Sequence, residues 1–222
     1  MSKRIKNLNR ALITEAIVDF AHGLPEETSV LDVGAGSGHY RSVFGAQSYF
    51  AIDRGYEQAD ISGLSAVADI TAIPFADGVM DAAVCMEVLE HVRDPIRVLR
   101  EIHRVVRPGG RVMVSTPFCL GEHMQPYDFY RYTRFQLKEM FERSGFKVVA
   151  IEPRGGYFTL TAYMLARVPD EIFRNTQGWR KYLKPLVRLL TTYSLAKIVL
   201  AMDGFDKRRD FTLGFISIVE TK

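Results

Sequence analysis

The run Val30-Leu31-Asp32-Val33-Gly34-Ala35-Gly36-Ser37-Gly38 constrains the fold of this 222-residue chain more than any other stretch. It is an apolar segment that reaches a carboxylate and then breaks into alternating glycines. Without Cβ atoms at positions 34 and 36 a ligand can approach the main chain, and the residues after Gly38 can open a helix whose amides face it. A buried strand, a glycine turn and a helix make the first half of a β-α-β unit. The motif therefore predicts an α/β, Rossmann-like, doubly wound sheet with a nucleotide-type site at its carboxyl edge.

The spacing narrows the nucleotide. A dinucleotide fingerprint G-x-G-x-x-G counted from Gly34 requires glycine at residue 39, where His39 stands. Asp32 would also repel a diphosphate, whereas it suits a cationic ligand. A second strand, Tyr49-Phe50-Ala51-Ile52-Asp53, ends in an acid about 20 residues after the first, as a β-α-β nucleotide site requires. Asp53 can accept both hydroxyls of a ribose. Ser65-Ala66-Val67-Ala68-Asp69-Ile70 reads as a third strand ending in Asp69, followed by the turn Ile73-Pro74-Phe75-Ala76-Asp77-Gly78. Asp81-Ala82-Ala83-Val84-Cys85-Met86 reads as a fourth strand. After it come Glu87-Val88-Leu89-Glu90-His91-Val92, a helix opened by Asp94-Pro95, and Arg107-Pro108-Gly109-Gly110.

These segments, within residues 28–152, resemble the class I S-adenosylmethionine-dependent methyltransferases, in the small-molecule group that includes quinone-biosynthesis and methyltransferase type 11-like enzymes. In that family an acid stands two positions before the first glycine, the place of Asp32. The resemblance implies S-adenosyl-L-methionine as cofactor and S-adenosyl-L-homocysteine as product. It further implies that Asp69 accepts the adenine amine while Ile70 offers an amide and an apolar face to the base. The implied cofactor set is Asp32, Gly34, Ala35, Gly36, Gly38, Asp53, Arg54, Asp69, Ile70 and Met86. The family's sheet has seven strands, mostly parallel, with the last inserted antiparallel between the fifth and sixth.

Length and composition agree. The expectation is a single methyltransferase domain over 1–222: an N-terminal helix within 1–27, a cofactor-binding core at 28–152, a helical insertion at 153–210 and a last strand at 211–222. With 47% apolar and 25% charged residues the composition is that of an ordinary globular protein. The basic start Met1–Lys6 precedes only an amphipathic segment, Leu8 to Leu24, so a cytoplasmic location is expected. Cys85 and Cys119 stand singly, which predicts reduced thiols and neither a disulfide framework nor a metal site.

Periodicity places the helices. Ile13, Ile17, Phe20 and Leu24 line one side of a helix near 8–23, and Ile96, Leu99, Ile102, Val105 and Val106 line another. On the latter, Arg97, Arg100, Glu101 and Arg104 read as a solvated charged face. The fifth strand follows at Arg111–Ser115. Thr133 and Gln136 match a capping box for a helix running to Ser144-Gly145. Phe146–Ile151 and Phe211–Val219 read as the last two strands, Gly214 as a bulge.

The acceptor side must come from loops at the carboxyl edge. A base is needed if the acceptor is a hydroxyl, and histidine serves at neutral pH. His22 and His103 fall on helices as structural groups, and His39 adjoins the glycine turn. His91 follows the fourth strand, and His123 lies in the aromatic and ionisable stretch Pro117–Tyr132 after the fifth. The candidate catalytic residues are His123, His91 and Asp128, with Asp128 orienting His123 or acting as base. Tyr127, Tyr130 and Arg131 are candidates for binding the acceptor. A purely structural alternative packs Phe129, Tyr130 and Tyr132 on the sheet and pairs Asp128 with Arg131.

After the break Arg154-Gly155-Gly156-Tyr157, two helices are expected, Phe158–Val168 and Leu183–Met202, the second with Pro185 in its first turn. Between Ile172 and Met202 stand Arg174, Arg180, Lys181, Lys184, Arg188 and Lys197 and no acid. Such an insertion can be a lid over the acceptor, a homodimer surface, or a peripheral contact of residues 174–202 with an anionic membrane. Lys184, Arg188 and Lys197 divide its apolar length against a bilayer crossing. Net charge is only +3 and aromatics do not interleave with the basic residues, which argues against nucleic acid as partner. The first expectation is O-methylation of a hydroxylated small molecule such as a saccharide, lipid-linked precursor or natural product. The alternatives are N-methylation of a small amine and a non-catalytic cofactor-binding module.

Overall fold

The computed structural model describes residues 7–55 and 61–222, so the basic start Met1–Lys6 lies outside the described residues. In chain order the elements are α1 (Leu8–His22), β1 (Ser29–Val33), β2 (Ser48–Asp53), β3 (Ala66–Val67), β4 (Met80–Met86), α2 (Pro95–Val105), β5 (Val106–Pro117), α3 (Arg134–Arg143) and β6 (Phe146–Pro153). Then come α4 (Tyr157–Ile172), α5 (Lys184–Arg188), a π-helix (Leu189–Leu195), α6 (Ala196–Ala201) and β7 (Gly214–Thr221). The chain forms two compact units, one from the described part of Met1–Thr14 with Pro153–Gly214, the other from Glu15–Glu152 with Phe215–Lys222.

The second unit is built on a seven-stranded sheet of order β3-β2-β1-β4-β5-β7-β6. Its strands are mostly parallel, with the last antiparallel between the fifth and sixth, as the resemblance implied. β1 pairs with β2 through Leu31 and Phe50 and with β4 through Leu31 and Ala83, while β4 pairs with β5 through Ala83 and Val112. These central strands read as unbroken apolar runs because helices cover both faces of a parallel sheet. Leu31, Val33, Ala83, Cys85, Val112 and Val114 are buried in one cluster with Leu99 and Ile102 of α2. The winding reverses between β1 and β4, which opens a crevice at their carboxyl ends.

Both expected caps are present. Asp94 accepts the Arg97 amide (3.1 Å) ahead of Pro95, and Thr133 accepts the Gln136 amide (3.2 Å) at the start of α3. The buried side of α2 is Val98, Leu99, Ile102 and Val105, while Val106 already belongs to β5.

Several expectations are corrected. No α-helix follows Gly38: the crossover is a chain of turns, with Arg41 N–H donating to Gly38 O (3.1 Å), Val43 to Tyr40 (2.9 Å) and Phe44 to Arg41 (3.2 Å). Gly38 keeps φ at +73°, outside the helical region, so it cannot open a helix. β3 stops at Val67 and does not reach Asp69, because the Asp69 carboxylate takes the Thr71 amide and hydroxyl (both 2.8 Å) and turns the backbone away from the ladder. β7 starts at Gly214 and not at Phe211, since the Thr212 hydroxyl donates to the Arg154 carbonyl (2.9 Å) just before it.

The charged face of α2 is not merely solvated. Glu101 accepts the Ile73 amide (2.8 Å), and Arg104 donates to Ile73 O (2.9 Å), Phe75 O (2.8 Å), Asp77 (2.7 Å) and Glu101 (2.8 Å). Two side chains thus supply the hydrogen bonds that the 73–77 turn lacks in its own backbone.

In the first unit the Arg154–Tyr157 break is anchored. Asp203 accepts the Gly156 (3.2 Å) and Thr159 (2.8 Å) amides, and Asp206 accepts the Tyr157 amide (2.7 Å), so two distant acids cap α4. The expected Leu183–Met202 helix is a composite of α5, the π-helix and α6, with Pro185 in its first turn as expected.

Arg104→Ala is expected to lower unfolding stability by about 2 kcal/mol, because the Ile73 and Phe75 carbonyls lose charged donors. A urea midpoint equal to that of the parent protein would show that the turn holds without it.

Candidate cofactor and acceptor site

The glycine turn sits where the crevice opens. Gly34 and Ala35 donate their amides to Ile52 O (2.9 and 3.0 Å), which ties the end of β1 to β2. Gly34 has φ +78°, and a Cβ there would come within 2.6 Å of Val88 Cγ2. Gly36 has φ +57°, and its missing Cβ faces open space, with none of the described atoms within 4 Å. One glycine therefore serves the packing of the 87–92 segment and the other leaves a cradle. Beside the cradle, Asp53 accepts the Gly36 (2.9 Å) and Gly55 (2.9 Å) amides through its two oxygens. Arg54 follows it, and Gly38 lies against Gly63, where a Cβ would meet the Gly63 carbonyl oxygen at 3.1 Å.

Asp32 is buried, and its carboxylate receives a short hydrogen bond from the buried Tyr49 hydroxyl. Burial pushes its pKa up to about 7, opposed by the Tyr49 hydrogen bond and aided by the Asp53 charge. The Tyr49 hydroxyl is itself pushed up, by burial first and then by Asp32. Asp32 thus sits under the turn and not on its surface. Asp69 is exposed, and its hydrogen bonds from Thr71 hold its carboxyl below the usual range. Ile70 packs at the edge of the core, and Met86 is buried at the end of β4, paired with Ser115.

Glu87, directly after Met86, was not singled out by the sequence. It takes φ +56°, accepts a hydrogen bond from the Ser115 hydroxyl (2.5 Å) and donates its amide to Ser115 O (3.0 Å). A left-handed non-glycine residue at a strand end marks a position fixed by its surroundings. Nothing in the residue type signals it, since the constraint comes from β5.

The segment after β5 is laced to the segment after β4. Phe129 donates its amide to Glu90 O (2.8 Å), the Tyr130 hydroxyl to Arg93 O (2.9 Å), and the buried Tyr132 hydroxyl to Leu89 O (2.9 Å). His91 Nδ1 meets the Tyr127 carbonyl at 2.5 Å, and burial lowers its pKa. These bonds bring the three catalytic candidates together. The His91 and His123 rings meet edge to face at 4.7 Å, and Asp128 accepts the His123 amide (2.9 Å) with its oxygen 3.5 Å from His123 Nδ1.

Asp128 also receives both guanidinium nitrogens of Arg131 (2.7 and 2.8 Å), whose remaining bonds go to the Leu120, Gly121 and Tyr130 carbonyls. The Arg131 pair holds the Asp128 carboxyl far below the ordinary range, which suits an orienting anion and not a proton acceptor at neutral pH. Arg131 and the Tyr130 hydroxyl are committed to protein partners, while Tyr127 is exposed. Among the described residues, one ligand atom each from Glu90, His91 and His123 lie within 4.8 Å of one another, close enough to share a cation.

Comparison with known proteins places this chain in a family. A family model described as a methyltransferase domain matches residues 4–151, two-thirds of the chain, and the chain belongs to that family. It carries an S-adenosylmethionine-dependent methyltransferase domain. The ubiquinone biosynthesis O-methyltransferase of Pseudomonas paraeruginosa is 39% identical over 112 residues, 45% of this chain and 48% of that one. The chain spans about half the length of the curated relatives it matches. In fold it is similar to the [4+2]-cyclase SpnF, with TM-score 0.61 and 22% identity over 93% of this chain and 80% of that one. It is equally similar to phosphoethanolamine N-methyltransferase 2 of Haemonchus contortus in complex with S-adenosyl-L-methionine. There the TM-score is 0.60 and the identity 17% over 94% of this chain and 52% of that one.

A pH profile tests the buried acid. With its pKa raised to about 7 in the folded protein, Asp32 keeps a proton that the unfolded chain releases above pH of about 4. Stability contributed by that proton is complete below about pH 4 and is lost as pH rises through about 7. Asp32→Asn is expected to flatten this decline in urea midpoints; an unchanged slope would assign it to other groups.

Proposed function

We propose that the chain O-methylates a hydroxylated small molecule, whether saccharide, natural product or lipid-linked precursor, with His123 as general base. The observation that carries this reading is the clamp on His123. Its Nδ1 faces two acceptors, Gly121 O (3.2 Å) and the Asp128 carboxylate (3.5 Å), so Nδ1 carries the proton and Nε2 the lone pair. Asp128 is in turn fixed by Arg131. The base is oriented by an anion that does not itself take the proton, the arrangement expected of a positioned general base. The Pseudomonas relative is named as an O-methyltransferase, which supports oxygen as the acceptor atom.

The cofactor fits the residues present. The cradle over Gly36 leaves room for a ligand against the main chain, and Asp53 at its rim offers acceptor oxygens for ribose hydroxyls. Gly34, Ala35, Gly36 and Gly38 would line the amino acid end, with Asp32 beneath them. Asp53 and Arg54 would meet the ribose, Asp69 and Ile70 the adenine, and Met86 the far side. When bound, S-adenosylmethionine supplies a methyl group already activated on a sulfonium. The chain's own work is then to bind the acceptor, align its hydroxyl and take the proton at His123 Nε2. His91 buttresses the His123 ring, and Tyr127 offers an exposed aromatic face to the acceptor. A cytoplasmic location fits this reading.

Two variants separate the roles. Asp53→Ala is expected to weaken S-adenosylhomocysteine binding by about tenfold or more in calorimetry, for loss of charge-assisted hydrogen bonds. His123→Ala is expected to lower kcat about a hundredfold or more on any hydroxylated acceptor that turns over, with S-adenosylhomocysteine affinity unchanged. Methyl transfer confined to amines across a panel of phenols, sugars and amines would refute oxygen as the acceptor, and equal losses of turnover and cofactor affinity in His123→Ala would make that residue structural.

A further inference from the structure

The helical run Gly178–Phe205 has 28 residues and is long and apolar enough to cross a bilayer. One side of it is taken. Thr192 and Ala196 are buried, the Thr192 hydroxyl donates to Ala166 O of α4 (3.3 Å), and Lys184 and Arg188 both pair with Asp170 of α4 (2.9 and 2.7 Å). The other side is an unbroken apolar stripe of Trp179, Leu183, Leu186, Leu190, Leu195, Ile198, Met202 and Phe205, exposed by between 38% at Met202 and 77% at Phe205.

The spacing of that stripe is informative. Its steps are three or four residues except between Leu190 and Leu195, where the step is five. That one step falls inside the π-helix Leu189–Leu195, whose hydrogen bonds run five residues instead of four. The π turn therefore keeps Leu195, Ile198, Met202 and Phe205 in line with the leucines before it. A single regular α-helix would rotate the second half of the stripe away from the first. The backbone irregularity sits where the sequence needs it to keep one apolar face continuous.

Charge selects what covers the face. Residues 172–202 hold six cations and no acid; Arg174 pairs with Glu171 and Lys184 and Arg188 with Asp170, so the positive charge not neutralised by these pairs is that of Arg180, Lys181 and Lys197, and the acids that follow, Asp203 and Asp206, are engaged with the amides at the start of α4. A second copy meeting this face across a two-fold axis would set like charges against each other. An anionic lipid surface is complementary to both the stripe and its basic flanks. Trp179 and Tyr182 beside Arg180 and Lys181 are the residue types that settle at the headgroup level. Crossing the bilayer would strip Lys184 and Arg188 from Asp170 and pull Thr192 and Ala196 off α4. Lying in the interface keeps them all.

We propose that Gly178–Phe205 is a π-adjusted amphipathic helix that docks this unit on anionic lipid, with the Trp179–Phe205 stripe facing the acyl chains. The inference stands on the helical unit alone and does not depend on the identity of the methyl acceptor.

Trp179 is the chain's one tryptophan, so its fluorescence reports this face directly. Vesicles of phosphatidylglycerol with phosphatidylcholine are expected to shift the emission to the blue and to co-sediment the protein. Added salt should weaken both effects, and vesicles of phosphatidylcholine alone should bind far less. Leu190→Asp and Ile198→Asp, at exposed positions that leave the α4 contact intact, should each lower vesicle affinity about tenfold or more. Helix content by circular dichroism and S-adenosylhomocysteine binding by calorimetry should be unchanged in both. Absence of a shift with the anionic vesicles at low salt would overturn the proposal. So would undiminished binding in both variants, or a blue shift that grows with protein concentration without lipid, the mark of a second copy. S-adenosylhomocysteine binding in the same preparation is read separately, so failure to bind lipid is distinct from failure of the methyltransferase reading.

Discussion

Gly34 lies against Val88 and Gly36 donates its amide to Asp53, so the turn after β1 is held by the segment after β4 on one side and by the end of β2 on the other. A side chain at position 34 would be strained, since φ there is +78° and Val88 fills the space a Cβ would need. From this joint the rest of the carboxyl edge follows. The 87–93 segment that holds Val88 carries His91, and through Leu89, Glu90 and Arg93 it also receives the hydrogen bonds of the 117–132 segment. The cofactor turn and the His91–His123 cluster are thus linked through one short stretch of backbone.

Several ionisable groups in this protein hold backbone in place. Glu101 and Arg104 satisfy the 73–77 turn, Arg131 and Asp128 lock the segment around His123, and Asp203 and Asp206 cap α4. Each joins segments with few backbone hydrogen bonds of their own, where a charged donor or acceptor does the most for order. Asp32 differs. It is buried and, among the described residues, Tyr49 alone donates to its carboxylate, so its charge is costly to maintain, and a cationic ligand above the turn would favour it.

Local signals in the sequence were reliable where the chemistry is local. The glycine turn, the acid at Asp53, the Thr133 and Asp94 caps and the apolar strands β1, β2, β4 and β6 all depend on residues within a few positions of one another, and all are found where expected. Beyond the local corrections at Gly38 and Asp69, what the sequence did not show depends on distant partners. Tyr49 removes Asp32 from the surface, Ser115 fixes Glu87 in a left-handed conformation, and Ile73 and Phe75 recruit Glu101 and Arg104. Periodicity found a helix at 183–202 but not the π turn within it, because an added residue per turn shows only once the buried and exposed sides are known. The Asp128–His123 contact was expected from their five-residue spacing, whereas the meeting of His91 with His123 was invisible, since residues 91 and 123 meet only through the sheet order.

Amide hydrogen exchange with and without S-adenosylhomocysteine tests most directly whether the turn after β1 and the end of β2 form the cofactor site. Binding is predicted to slow exchange at residues 34–38 and 53–55, which include the Gly36 and Gly55 amides held by Asp53. Saturating S-adenosylhomocysteine with no protection at either segment would contradict a cofactor site on Gly34–Gly38 and Asp53.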